Sequence, residues 1–106
     1  MEWGYEEKYD LLGIILKPYK KDDYDRSEEV KAGFIVDFLK DGDIGAIEIL
    51  DWGGYCGLRP HQVRGMDIDA KVEKKDGFAK IIVIGKYNNK DYKIQGRVLL
   101  PEEEND

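Results

Sequence analysis

The stretch that most constrains this chain is residues 30–52, VKAGFIVDFLKDGDIGAIEILDW, where two apolar runs flank Asp41-Gly42. Both residue types tolerate the positive φ angles of a tight reversal, so the pair predicts an antiparallel hairpin. A two-residue turn there sets Lys40 opposite Asp43, followed by Leu39/Ile44, Phe38/Gly45, Asp37/Ala46, Val36/Ile47, Ile35/Glu48 and Phe34/Ile49. One face then carries Phe34, Val36, Phe38, Ile47 and Ile49, with the Phe38 ring over Gly45, as a half-buried sheet needs. The other face is mixed. Ile35, Leu39, Ile44 and Leu50 stand beside Asp37 and Glu48, which suits a partner surface or a partly covered second layer.

The second half applies the same logic twice. A turn at Asp76-Gly77 opposes Lys74/Ala79, Glu73/Lys80, Val72/Ile81 and Ala70/Val83, and a turn at Asn88-Asn89 opposes Lys86/Asp91, Gly85/Tyr92, Val83/Ile94, Ile81/Gly96 and Lys80/Arg97. Derived separately, both registers put Ile81 and Val83 on the apolar face. They also predict a charged outer row of Glu73, Lys80 and Arg97, and Tyr92 covering Gly85.

The remaining segments are assigned around these hairpins. Residues 1–7, with Trp3 and Tyr5, read as a lead-in. Residues 8–17 read as strand one, ended by Pro18, which cannot donate to a ladder. The densely charged residues 19–29 show no apolar period and read as a surface loop. Residues 52–66 form a glycine-rich irregular junction in which Pro60 opens one short helix over 59–64. Residues 101–106 read as a disordered acidic tail. The expected fold is a single mainly β domain of about six antiparallel strands, in two three-strand meander units over 8–51 and 67–100. These form a sandwich or small open barrel, with a strongly bent single sheet as the alternative. Strand one, LLGIIL, has few charges and reads as an unprotected edge, which predicts a homodimer.

An ordered set of motifs in the first half carries a family resemblance. Tyr9-Asp10 before Leu11-Leu12-Gly13-Ile14-Ile15-Leu16, then Ser27-Glu28-Glu29-Val30, Gly33-Phe34-Ile35-Val36-Asp37-Phe38, and Asp41-Gly42 leading into Gly45-Ala46-Ile47-Glu48-Ile49-Leu50, is similar to the small prokaryotic domain of unknown function 2283. The resemblance implies a small β domain with an interaction role and carries over no catalytic residues. The continuation Trp52-Gly53-Gly54-Tyr55 and the whole second half depart from it.

Composition narrows the partners. With 38% charged residues, a net charge of −6 and a pI near 4.8, the chain is unsuited to a nucleic-acid polymer or an anionic membrane and better suited to a basic protein. It contains no threonine and one serine, while lysine, aspartate and glutamate abound, a balance seen in proteins of hyperthermophiles. Cys56 is the only cysteine, and no signal segment or spanning helix is legible, so the expected location is the cytoplasm.

Reactive chemistry is sparse. Cys56 and His61, with Tyr55, Arg59 and Arg64, share the 52–66 junction and with Trp52 make the candidate ligand site, for a small anion or a minor hydrolase. The plainer reading is a buried thiol and a surface imidazole, and one cysteine with one histidine gives no metal-ligand spacing. Asp37 and Glu48 fall on one face of adjacent strands as a candidate carboxylate pair, against the plainer reading of a solvated face. No catalytic residue, metal or cofactor is assigned. The leading expectation is a non-enzymatic, self-associating interaction module, with the small-anion domain or hydrolase as the alternative.

Overall fold

The computed structural model describes residues 1–101, which form eight antiparallel strands, two short α-helices and two single 3-10 turns at Glu7–Tyr9 and Lys21–Asp23. Strands β1 (Glu2–Glu6), β2 (Leu11–Ile15), β3 (Tyr24–Lys31), β4 (Phe34–Leu39) and β5 (Ile44–Ile49) make one sheet in the order β1-β2-β5-β4-β3. After helices α1 (Trp52–Cys56) and α2 (Pro60–Arg64), strands β6 (Asp67–Lys75), β7 (Phe78–Tyr87) and β8 (Lys90–Leu99) make a second sheet in sequence order. The mainly β, two-sheet expectation holds, with five and three strands in place of three and three. The expected tail falls mostly on residues 102–106, outside the described residues.

Two segments read as irregular are strands. Residues 2–6 pair along β2, from Glu2 opposite Ile15 to Glu6 opposite Leu11, and their alternation of outward Glu2, Gly4 and Glu6 with inward Trp3 and Tyr5 is a period-two signal too short to stand out. The charged segment ending at Lys31 is β3, whose inward positions include Arg26 and Glu28 where a core strand would carry apolar groups. Arg26 packs its guanidinium 5.1 Å from the Phe38 ring centre and bonds Glu28 at 2.9 Å, so a long amphipathic side chain covers the end of the core. The junction likewise folds into two short helices rather than one. Finally, LLGIIL is not an edge: β1 and β5 flank β2, which removes the physical premise of the expected homodimer.

The first hairpin departs from the expected turn. Leu39 N–H donates to Asp43 O at 2.8 Å and Gly42 N–H to Leu39 O at 2.9 Å, which encloses a three-residue loop of Lys40, Asp41 and Gly42. Only Gly42 of these has positive φ, as expected for a type I turn closed by a left-handed glycine. That slides the tip by one residue, so Phe38 faces Ile44, and Gly45 is then bulged out, restoring Asp37/Ala46, Val36/Ile47, Ile35/Glu48 and Phe34/Ile49 as expected. Gly45 is covered by Tyr19, not Phe38: a Cβ there would stand 2.9 Å from the Tyr19 ring. At the other two reversals, Asp76 with Gly77 and Asn88 with Asn89 all have positive φ, the two-residue geometry, and every expected pair across β6, β7 and β8 is present.

The inner faces of both sheets share one core. Phe34, Val36, Phe38 and Ile47 of the first sheet and Ile81 and Val83 of the second are all 0% exposed. Glycines set the approach at two points. Val30 of β3 fills the space over Gly96 of β8, and the indole of Trp52 fills that over Gly85, where an added Cβ would lie 2.8 Å from Cζ2. Tyr92 is opposite Gly85 in register, as expected, but it is Trp52 with Met66 that occupies the gap. Around the rim, Lys17 reaches Asp41 and Asp43 while Lys74 of β6 also holds Asp43, so charges tie the first hairpin's tip to the second sheet. Lys74 and then Lys17 hold the Asp43 carboxyl down at about 2. No helix of the described residues is long and apolar enough to cross a membrane.

Candidate functional site

The six residues proposed from the junction scatter. Trp52 is 0% exposed and belongs to the core, stacking at 5.9 Å on Tyr55, whose hydroxyl donates to Lys93 O at 2.6 Å. Arg64 bonds Glu7 and lies 5.8 Å from the Tyr5 ring centre. Arg59 and His61 are exposed around the start of α2, where Gln62 rather than either of them caps the backbone of Arg59. The Cys56 thiol is half-buried and pushed up to about 12, by burial first and the Asp10 charge second, so it stays protonated and a poor nucleophile at neutral pH. The structure does not bring the six together around one cavity.

What organises the junction is Asp10, which lies 43 residues from Gly53 in sequence. Its carboxylate accepts the Gly53 and Gly54 N–H groups at 2.8 and 3.0 Å and the Tyr5 hydroxyl at 2.5 Å, while its carbonyl accepts Trp52 N–H. The start of a helix leaves such N–H groups unpaired, and Asp51, the residue at the cap position, makes no side-chain bond there. Burial, and then the Asp10 hydrogen bond, push the Tyr5 phenol up to about 12. The cluster is a structural clasp: its donors and acceptors are spent on one another.

A different surface has the character of a site. The outer face of the five-stranded sheet holds a groove of about 600 Å³ over β1, β2, β5 and β4. Register builds it from two rows. One runs Gly4, Gly13, Glu48, and the other Glu2, Ile15, Ala46, Asp37, with Glu6 opposite Leu11 at one end. Asp37 is held by the Ser27 hydroxyl at 2.5 Å and more loosely by Tyr19 at 3.4 Å. Burial and then the Asp37 charge raise the Glu48 carboxyl above its ordinary range. Among the described residues, Glu2, Glu6, Asp37 and Glu48 have no ion-pair partner. The groove therefore offers negative charge, one carboxylate of it partly stripped of water, to a cation.

The groove's floor is its most informative part. Gly4 and Gly13 sit opposite each other in the middle of their strands, neither has positive φ, and a Cβ built on either meets nothing within 4 Å. Glycine inside a strand costs stability, and here neither packing nor backbone geometry requires it. The two glycines leave a strip of bare backbone open to an incoming group. Asp37 and Glu48 were legible in the sequence as a pair, whereas Glu2, Gly4, Glu6, Gly13 and Tyr19 were not. The alternation of acid and glycine at positions 2, 4 and 6 was the available signal.

No protein-family model matches the chain, and no match was found among curated proteins or solved structures. The likeness to domain of unknown function 2283 thus rests on the residue pattern alone.

Proposed function

We propose that the chain is a non-enzymatic interaction module whose acidic groove receives a basic segment of a partner protein. The observation that carries this reading is the bare Gly4-Gly13 floor beneath carboxylates without cations of their own. A partner's lysine or arginine laid on that floor keeps its stem against Leu11, Ile15 and Ala46 while its charge reaches Glu48 or Asp37. The scattered junction residues give the small-anion or hydrolase alternative no comparable support.

The test is affinity for a lysine- or arginine-rich peptide, read by fluorescence anisotropy at two salt concentrations. Binding is expected to weaken as salt rises, and Glu48→Gln or Gly13→Val to weaken it by about tenfold, roughly 1.4 kcal/mol. Neither change should unfold the protein. Gly13→Val adds a β-favouring side chain in open space. Glu48→Gln is expected to hold or raise stability at neutral pH. Because the folded-state pKa is raised, the ionised form is disfavoured by folding; that cost is absent below the ordinary carboxylate range and complete above the raised pKa. The stability advantage of the Glu48→Gln variant should accordingly vanish on acidification, while wild-type affinity falls as Glu48 takes up its proton. Equal affinity of wild type and both variants would contradict the reading.

A further inference from the structure

The two sheets present four edge strands, β1, β3, β6 and β8, and three of them are blunted. On β8, the Tyr55 hydroxyl and the Lys31 ammonium donate to the backbone carbonyls of Lys93 and Gln95, each at 2.6 Å, filling acceptors that an added strand would need. β3 breaks register twice against β4, between Tyr24 and Arg26 and again between Glu29 and Lys31, and such bulges turn an edge away from a partner. β6 carries Asp67, Asp69, Lys71, Glu73, Lys74 and Lys75 in a nine-residue strand. β1 has no carbonyls filled by side chains and no register break, and its only charges are two acids, Glu2 and Glu6. It is five residues long, pairs with β2 without a register shift, contains no lysine or proline, and among the described residues no side chain bonds its backbone.

Its outward side chains decide what can pair there. In antiparallel self-pairing centred on Gly4, which uses all five residues, Glu2 of one copy stands directly opposite Glu6 of the other. Like charges in that position repel, so the edge disfavours a second copy of this chain. A strand with cations on alternate residues meets the same two acids with opposite charge. Its cations also have a clear way inward. From an added strand to β5 is three strand spacings, about 14 Å, and the path crosses only Gly4 and Gly13 before Glu48, within the joint reach of an arginine and a glutamate.

From this we infer that β1 is a docking edge: an extended basic segment adds to the sheet as a ninth strand beside β1, and its alternate arginines or lysines lie across the glycine floor toward Glu48. The inference rests on the groove reading and adds to it the backbone conformation of the partner.

The experiment uses the full chain, ¹⁵N-labelled, and a short peptide alternating arginine with valine, alongside the same peptide N-methylated at every second residue. The alternating peptide should slow exchange of the outward-facing amides of residues 2–6 by about tenfold or more, and N-methylation should cost about tenfold in affinity. If both peptides bind alike, or the β1 amides exchange at their free rate in the complex, strand addition is wrong. The groove reading survives that result provided Glu48→Gln still weakens binding. Absence of binding by the alternating peptide, or binding indifferent to Glu48, overturns both.

Discussion

Replacing Trp52 with alanine is expected to remove about 3–5 kcal/mol of stability, the largest loss from any single substitution proposed for this protein. The indole is completely buried where α1 meets the second sheet and lies over Gly85 of β7 beside Met66, so its removal leaves a cavity that the flexible Met66 side chain fills only in part. Urea denaturation measures the loss, and a cost below about 1 kcal/mol would mean that the junction is not packed as described. Trp52→Phe should cost less than half as much. The buried indole N–H has no hydrogen-bond partner among the described residues, so phenylalanine removes an unsatisfied donor while keeping much of the apolar volume.

Asp10→Ala is expected to cost about 2–3 kcal/mol, because one carboxylate serves three donors. With it gone, the Gly53 and Gly54 N–H groups open α1 without an acceptor and Tyr5 loses its partner. Asp10→Asn should fall between alanine and wild type, since its amide oxygen can still accept while its NH₂ faces a donor. Tyr5→Phe, which leaves the helix cap intact, should lose about 1 kcal/mol. A cost for Asp10→Ala no greater than that for Tyr5→Phe would show that the cap contributes nothing.

What the sequence disclosed follows from the range of the forces involved. Turn chemistry is local, so Asp76-Gly77 and Asn88-Asn89 placed every pair of the second sheet. Asp41-Gly42 carried the same signal but serves two loop types. The choice depends on whether aspartate itself takes positive φ; Asp76 does, whereas Asp41 does not and instead accepts the Asp43 N–H at 2.9 Å. Strands β1 and β3 were obscured because edge strands are only half-covered and can carry Arg26 or Glu28 where inner strands need isoleucine. The clasp at Asp10 and the company that Gly4 and Gly13 keep with Glu48 depend on contacts far apart in sequence, which no local pattern records. The junction drew attention because cysteine, histidine and arginine fell close together, but Cys56 ends α1 while Arg59, His61 and Arg64 belong to α2 and its cap.

We propose the outer face of the first sheet, and not the helical junction, as the surface that receives a partner. The most direct measurement is an amide chemical-shift titration of the ¹⁵N-labelled chain with an arginine-rich peptide. Saturable shifts are expected to concentrate at Gly4, Gly13, Ala46 and Glu48, with residues 52–64 nearly unmoved. Shifts centred on Cys56, Arg59, His61 and Arg64 instead, with the glycine floor silent, would contradict the proposal.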